Sequence, residues 1–248
     1  MNRILLVTGG SRGIGAACCR QAAAAGWDVA VNYARDAAAA DAVAADVRAL
    51  GRRAITVQAD VADEAQVLAM FARVDAELGP LAGLVNNAGV VDMPARVDEM
   101  SLARLKRMFD TNILGSVVCA REAVRRMSTR HRGRGGAIVN LSSAAARLGS
   151  PAQYVDYAAS KGAIDTFTLG LAREVAAEGI RVNAVRPGII DTGIHASGGQ
   201  PERAKDLAPQ VPMKRAGSAD EVAAAVLWLL SDAASYTTGT VIDVTGGR

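Results

Sequence analysis

A tyrosine and a lysine four residues apart, Tyr157 and Lys161, are the side chains of this sequence best suited to move a proton. Residues at this spacing share one face of a helix. A free tyrosine, with a pKa of about 10, is a poor acid–base catalyst at neutral pH, but a neighbouring ammonium group favours the phenolate and lowers that pKa. Ser143 follows a predicted strand and could hold a carbonyl oxygen of a substrate. Because a Tyr-x-x-x-Lys pair often arises by chance, its meaning depends on the rest of the chain.

A second feature is the glycine-rich turn at residues 8–15, which lies between a predicted strand and a predicted helix. Gly9 permits a tight turn, Gly13 allows a pyrophosphate to approach the backbone, and Gly15 allows the helix to pack closely on the strand. The start of the helix offers unpaired N–H groups and a partial positive charge to phosphates. No Gly-Lys-Ser/Thr follows, which excludes a Walker-type loop. The residues of this turn predicted to contact a dinucleotide are Gly9, Ser11, Arg12, Gly13, Ile14 and Gly15.

The end of the second predicted strand, Asn32-Tyr33-Ala34-Arg35, bears on which dinucleotide is bound. An acid at this point would hold the ribose 2′-hydroxyl of NAD, but the first acid is Asp36. Arg12 and Arg35 could instead bind a 2′-phosphate through their guanidinium groups. We therefore place Asn32, Tyr33 and Arg35 in the cofactor site and predict a preference for NADP(H), with NAD(H) as the alternative. In that alternative, Arg35 is only a solvated residue at the start of a helix.

Short apolar runs alternate with helical patterns along the whole chain. The predicted strands are 3–7, 29–32, 54–58, 81–85, 137–141, 181–185 and 240–244. The predicted helices are 14–25, 36–50, 63–78, 101–127, 157–178 and 219–230. Strands separated by helices imply a parallel sheet covered on both faces, which predicts an α/β fold with a doubly wound sheet of Rossmann type and about seven strands.

No linker interrupts this alternation, so residues 1–248 are predicted to form a single domain. The segment 189–218 is irregular and rich in glycine and proline. Irregular segments of this length in compact domains are often functional lids, and we expect this one to be a substrate loop.

The composition of the 248 residues narrows the class of protein further. Lys and Arg number 28 and Asp and Glu 25, a net charge of +3 without a large basic cluster, which argues against a nucleic-acid partner. The longest uncharged run, at 78–91, is too short to cross a membrane, and no secretion signal is recognisable. Cys18 and Cys19 are adjacent and would not readily form a disulfide, which favours a reduced, cytoplasmic protein. Two distant histidines provide no metal-binding pattern, so we predict no metal site.

Taken together, the motifs resemble those of the short-chain dehydrogenase/reductase family, in its compact single-domain branch. The resemblance covers essentially the whole chain, and the motifs occur in the order of the family. These motifs are the glycine turn at 8–15, Asp60-Val61, Asn86-Asn87-Ala88-Gly89, Asn112, Ser143, Tyr157 with Lys161, and Pro187-Gly188-x3-Thr192.

The resemblance implies a role for each catalytic position. Tyr157 is expected to be the general acid in carbonyl reduction and the base in alcohol oxidation. Lys161 is expected to lower the pKa of Tyr157 and to hold the hydroxyls of the nicotinamide ribose. Ser143 is expected to orient the carbonyl, and Asn112 to support a proton relay through water and Lys161.

The resemblance also assigns cofactor contacts beyond the glycine turn. Asp60 and Val61 are expected against the adenine. Asn86, Ala88 and Gly89 are expected beside the adenosine ribose. The residues expected to position the nicotinamide are Pro187, Gly188, Ile190 and Thr192.

Two positions leave alternatives. Ser142 and Ser143 are neighbours whose side chains point to opposite sides of an extended strand, and the alignment of the following glycine favours Ser143. The interval from Ser143 to Tyr157 is one residue longer than the commonest spacing of the family. Tyr154 lacks a lysine four residues later and is instead expected to line the substrate pocket.

The expected activity is hydride transfer between NADP(H) and a small carbonyl or alcohol substrate. Within the family, the 32–35 segment resembles 3-oxoacyl-carrier-protein reductases and also sugar (glucose) dehydrogenases. An acidic carrier protein would need a basic docking surface, which the arginines at 125, 126, 130, 132 and 134 could form. A non-enzymatic alternative is a dinucleotide-binding sensor or scaffold. The resemblance implies a homotetramer assembled through the helices at 101–127 and 157–178, with a dimer as the next alternative.

Overall fold

Seven parallel strands form one sheet in the computed structural model, which describes residues 3–248 apart from the side chain of His195. The strands are Arg3–Val7 (β1), Trp27–Tyr33 (β2), Ala54–Gln58 (β3), Leu81–Asn86 (β4), Gly136–Leu141 (β5), Ile180–Pro187 (β6) and Val241–Val244 (β7). Their order is β3-β2-β1-β4-β5-β6-β7, so the direction of winding reverses between β1 and β4. This arrangement confirms the predicted doubly wound fold. Ligands bind such sheets beyond the carboxyl ends of the strands at the point of reversal, which here follows Val7 and Asn86.

Helices cover both faces of the sheet. The main helices are Gly13–Ala24 (α1), Ala37–Ala49 (α2), Glu64–Glu77 (α3), Leu102–Phe109 (α4), Ser116–Met127 (α5), Ala145–Leu148 (α6), Val155–Val175 (α7), Ile194–Ser197 (α8), Arg203–Leu207 (α9) and Ala219–Leu230 (α10). One apolar core lies between the sheet and α1, α2 and α10, and the other lies between the sheet and α3, α5 and α7. Many of the buried helix residues are alanines, which lets the helices lie close to the strands. Among residues 3–248, no helix is long and apolar enough to cross a membrane.

The helix predicted at 101–127 is interrupted by a π-helical turn, Asp110–Gly115. Ser101 caps the start of α4 by accepting a hydrogen bond from the Arg104 backbone N–H at 3.2 Å. Gly115 faces Val61 so closely that a Cβ at this position would lie 2.8 Å from the valine side chain. Wide turns of this kind are frequent at functional sites. This one contains Asn112.

The segment at 189–218 is more ordered than its composition suggested. It contains α8 and α9 and a parallel bridge between Ile190 and Gly217. Ile189, Ala204 and Val211 form a small apolar cluster within it. The prediction that this segment has no secondary structure was therefore wrong. The two short helices could not be recognised in the sequence, because a helix of four or five residues has no periodic pattern long enough to detect.

Candidate active site

The loops after β1 and β4 are tied together at the reversal point of the sheet. The Thr8 hydroxyl accepts hydrogen bonds from the backbone N–H groups of Asn87 and Ala88, at 2.9 and 3.0 Å. The Asn87 side-chain amide donates to the carbonyl oxygens of Thr8 and Gly9, at 2.9 and 3.0 Å. These four hydrogen bonds join the two loops into one unit at the reversal point of the sheet. Asn87 was not assigned a role from the sequence, although it lies within the Asn-Asn-Ala-Gly motif.

The glycine turn has the geometry that its spacing predicts. Gly9 and Gly13 have positive φ angles of 60° and 52°, which glycine adopts at little cost. A Cβ at position 15 would collide with the Gly9 carbonyl oxygen and lie 2.6 Å from the Asn87 amide nitrogen. A Cβ at position 13 would meet only the Thr192 side chain, at 3.4 Å. The space before Gly13 is thus open, as a pyrophosphate requires, and Thr192 faces it from across the cleft.

The two arginines predicted to bind a 2′-phosphate are Arg12, in the glycine turn, and Arg35, which directly precedes Asp36. Arg12 and Arg35 are both exposed, and neither side chain forms an ion pair or hydrogen bond with any residue that the structure describes. The Asp36 carboxylate caps α2 by accepting a hydrogen bond from the Ala39 backbone N–H at 3.0 Å. The Asp36 carboxylate therefore serves as the cap of this helix. Arg12 in the glycine turn and Arg35 after β2 thus each present a guanidinium group without a side-chain partner among the described residues, and this donor chemistry suits a phosphate.

Three residues predicted to contact the cofactor use their side chains inside the protein. The Asn32 amide accepts from the Gly9 backbone N–H at 3.0 Å and donates to the carbonyls of Val57 and Ala59. Asn86 is buried, and its amide donates to the Asn140 side chain at 3.0 Å. Any cofactor contact at these two positions would involve the backbone.

Val61 is the third residue predicted to contact the cofactor whose side chain lies inside the protein. Val61 is buried, whereas the neighbouring Asp60 is exposed. The Asp60 carboxylate accepts a hydrogen bond from the Ala62 backbone N–H at 3.0 Å. Tyr33 and Ala88 are half-buried, as are Ser11 and Ile14.

Ser143, Tyr157 and Lys161 line one cavity, together with Pro187, Gly188, Ile190 and Thr192. Ser143 lies close enough to Tyr157 to lower the pKa of the tyrosine. The Ser142 hydroxyl is buried and donates to the Lys161 carbonyl oxygen at 3.2 Å, so it supports the helix. Of the two serines, the geometry therefore favours Ser143 as the one beside the tyrosine.

Lys161 lies between a strand and the tyrosine. Its Nζ donates to the Leu141 carbonyl oxygen at 2.7 Å and is 5.7 Å from the centre of the Tyr157 ring. Burial lowers the pKa of Lys161 to about 8, and Asp165 partly opposes this by raising it. A lysine with this pKa carries its charge at neutral pH but can release a proton more readily than a free lysine.

The pKa of Tyr157 differs from the expectation. Burial raises it above the ordinary tyrosine value, while the nearby Ser143 lowers it. In the protein alone the effect of burial is larger, so the predicted lowering by Lys161 is not observed. The Lys161 ammonium group donates to the Leu141 carbonyl, and Lys161 is not one of the groups that shift the Tyr157 pKa in the protein alone.

Asn112 is completely buried in the π-helical turn. Its side-chain oxygen accepts from the Val90 backbone N–H at 2.8 Å, and its nitrogen donates to the Val90 carbonyl and the Ser160 hydroxyl. A Cβ on Gly89 would lie 3.3 Å from the Asn112 side-chain oxygen and 3.6 Å from the Lys161 Nζ. Asn112 thus joins the loop after β4 to the catalytic helix.

A buried ion pair at the start of α7 was not anticipated. The Arg104 Nε lies 2.8 Å from the Asp156 carboxylate, which also accepts the Tyr157 backbone N–H at 2.9 Å. Another guanidinium nitrogen of Arg104 donates to the Met93 carbonyl at 2.6 Å. The pair therefore fixes the helical turn that carries Tyr157. The only sequence signal for it was an acid directly before the tyrosine.

A doubly wound sheet with this glycine turn and this Ser-Tyr-Lys set defines an NAD(P)-dependent oxidoreductase. A family model described as enoyl-(acyl carrier protein) reductase matches residues 9–248. The chain is 54% identical to the uncharacterized oxidoreductase YgfF of Escherichia coli K12 over 245 residues, covering 99% of both proteins. It is 39% identical to the 3-oxoacyl-[acyl-carrier-protein] reductase FabG of Staphylococcus aureus Mu50, over 100% of this chain and 98% of that protein.

Solved structures agree with these relatives. A short-chain dehydrogenase from Burkholderia cenocepacia J2315 in complex with NADP is 38% identical, with a TM-score of 0.90 and coverage of 99% of this chain and 97% of that one. A metagenomic blue fluorescent protein in complex with NADPH is 36% identical, with a TM-score of 0.90 and the same coverage. The chain belongs to the short-chain dehydrogenase/reductase family. It is an oxidoreductase that uses a nicotinamide cofactor, and this disfavours the sensor alternative.

Proposed function

We propose that this protein transfers hydride between NADP(H) and a small carbonyl or alcohol substrate, with Tyr157 as the general acid or base. The observation that carries the proposal is the single cavity that brings Ser143, Tyr157 and Lys161 together beside Thr192 and the glycine turn. A bound nicotinamide supplies or accepts the hydride. The protein supplies the proton and the orientation of the substrate.

In the direction of reduction, Ser143 donates a hydrogen bond to the carbonyl oxygen and orients it. Tyr157 gives its hydroxyl proton to the same oxygen as the alcohol forms. Lys161 stabilises the resulting phenolate electrostatically and helps to restore its proton, while Asn112 supports this relay by holding the loop after β4 against the helix. In oxidation, Tyr157 accepts the proton of the alcohol.

The test is a Tyr157→Phe variant assayed on a panel of ketones, sugars and acyl thioesters by NADPH absorbance. We expect turnover to fall by at least about 100-fold, because the proton donor is lost. NADPH affinity, measured by fluorescence titration, should change little. Turnover close to that of the wild type would refute the role of Tyr157.

The preference for NADP(H) is supported by Arg12 and Arg35, since both are exposed and unpaired among the residues described. The solved relatives that hold NADP or NADPH agree with it. An Arg35→Gln variant should lose about 10-fold or more of its kcat/KM with NADPH and little with NADH. A wild-type protein that prefers NADH would overturn the assignment.

Among substrates, a small molecule is better supported than a carrier-bound one. The FabG relatives and the family model suggest acyl carrier substrates. However, Arg125 and Arg126 pair with Glu122 and Asp75, which weakens the predicted basic docking surface. We further propose one catalytic domain with 189–218 as its substrate loop, a homotetramer, and a location in the cytoplasm.

A further inference from the structure

The cavity that contains Tyr157 has an unusual balance of charge. Its wall includes Tyr154 and Arg203 and the apolar side chains of Leu148, Ile189 and Ile194. The cationic residues along the cavity are Lys161, Arg203 and Arg248, and no described lining residue is an Asp or Glu. An anionic group in this cavity would therefore meet attraction and no opposing carboxylate in its wall.

Arg203 is held in place by neutral partners. Its two terminal nitrogens donate to the side-chain oxygens of Gln200 and Gln153, at 2.7 and 2.8 Å. Its guanidinium carbon lies 5.2 Å from the centre of the Tyr154 ring, and the Tyr154 hydroxyl donates to the same Gln200 oxygen at 2.7 Å. A guanidinium has five N–H donors, and amide oxygens occupy two of them. Since both partners are uncharged, neither of them neutralises the positive charge of Arg203.

Neighbouring cations are paired differently. Arg104, on the other side of Tyr154, is bound to the Asp156 carboxylate. Lys205, on the same short helix as Arg203, lies 3.8 Å from Glu202 and is exposed. Among the residues that the structure describes, no acid pairs with Arg203. A guanidinium group that is held in one orientation without a counter-ion is typical of a preorganised anion-binding site, and Arg203 has both properties.

The position of Arg203 relates it to the reacting group. It stacks on Tyr154, which precedes Tyr157 by three residues on the chain. Tyr154 immediately precedes α7, and both tyrosines line the same cavity as Arg203. Arg12 and Arg35, in contrast, are not among the residues that line this cavity. An anion at Arg203 would thus belong to the substrate rather than to the cofactor phosphates.

We propose that the substrate is an aliphatic carbonyl or alcohol compound carrying an anionic group, carboxylate or phosphate, a few bonds from the reacting carbon, and that Arg203 binds that group. This inference rests on the proposed function. The apolar walls at Leu148, Ile189 and Ile194 enclose the intervening carbons. Gln153 and Gln200 are positioning residues that orient the guanidinium.

The test compares a series of aliphatic oxo acids with their methyl esters, and an oxo phosphate ester with its dephosphorylated form. In an Arg203→Gln variant we expect kcat/KM for the preferred anionic substrate to fall about 10- to 100-fold, mainly through KM, because a charge-assisted hydrogen bond is lost. The neutral counterpart should change by less than about threefold. Arg203→Lys should retain most of the activity, and Lys205→Gln, which removes a charge from the same helix outside the cavity, should behave like the wild type.

A wild-type protein that uses esters as well as acids would overturn the inference, as would an equal loss on both substrates in Arg203→Gln. If no compound of the panel is turned over, the proposed function is at fault. In that case, calorimetric binding of succinate and phosphate to the wild type and to Arg203→Gln still decides the role of Arg203. Equal binding by the two proteins would contradict it.

Discussion

The two sides of the cleft are held by different kinds of contact. The proposed cofactor side, formed by residues 8–15 and the ends of β1, β2 and β4, is joined by backbone groups, two asparagine side chains and one threonine hydroxyl. The proposed substrate side, formed by residues 148–154 and 189–218, is joined by contacts between long side chains, such as Arg203 with Gln153 and Gln200.

This difference has consequences for tolerance to mutation. Where two backbone segments are in close contact, an added side-chain atom collides with one of them, because a packed interior leaves no space for it. Where side chains join separate loops, a substitution alters orientation and ligand preference but leaves the sheet intact. We therefore expect the cofactor side to be rigid and intolerant, and the substrate side to accept changes that alter specificity.

The largest effect is expected for Gly15→Ala on the cofactor side. The new methyl group would collide with the Gly9 carbonyl oxygen and press on the Asn87 amide. Relief would require the turn to open, so we expect the free energy of unfolding to fall by more than about 3 kcal/mol and NADPH binding to be lost. Urea denaturation and fluorescence titration measure the two effects.

Gly193→Ala on the substrate side is the matched control. Gly193 has no positive φ angle, and a Cβ at this position would meet nothing within 4 Å. The stability and NADPH affinity of the Gly193→Ala variant should equal those of the wild type. If Gly15→Ala were tolerated equally well, the contrast between the two sides would be wrong.

The same contrast explains which parts of the molecule the sequence made predictable. The strand at 3–7 and the turn at 8–15 are continuous in sequence, and local spacing alone specifies their geometry. Arg203 and Tyr154 meet only in the folded chain, as do Arg104 and Asp156, so no local pattern indicates these contacts. The π-helical turn at Asn112 was missed because one additional residue in a turn barely disturbs helical periodicity.

A smaller loss of stability is expected from breaking the Arg104–Asp156 ion pair, which joins α4 to the start of α7. Asp156→Asn would leave the buried Arg104 guanidinium without its charge partner. Removing one member of a buried pair is costly, and we expect the free energy of unfolding to fall by about 3 kcal/mol. Because the Tyr157 backbone also bonds to Asp156, the pH profile of kcat should shift as well.

The control for this change is the exposed pair Arg96–Asp98, whose side chains are 68% and 64% accessible to solvent. Asp98→Asn should leave stability and the pH profile unchanged, since exposed pairs contribute little. An Asp156→Asn variant that is as stable as Asp98→Asn would show that the stability of the protein does not depend on the contact between α4 and α7.

The smallest expected effect concerns Lys161, which lies where the two sides meet. Its pKa is about 8 in the folded protein, against an ordinary value of 10.5, so the folded state disfavours the charged form. Between these values the unfolded chain binds more protons than the folded one, and stability from this group rises with pH. The buried thiols of Cys18, Cys19 and Cys119 act in the opposite direction above about pH 9, because burial raises their pKa values.

The effect of Lys161 therefore has to be isolated by comparison with Lys161→Met, in which the three cysteines are unchanged. From pH 7.5 to 9.5, urea denaturation in the presence of a reductant should show the wild type gaining about 2 kcal/mol relative to the variant, at about 1.4 kcal/mol for each unit of pKa difference. A difference that does not vary with pH would mean that Lys161 titrates as it does in the unfolded chain. Its burial beside Tyr157 would then not make it easier to deprotonate, and its part in returning the proton to the tyrosine would have to rest on geometry alone.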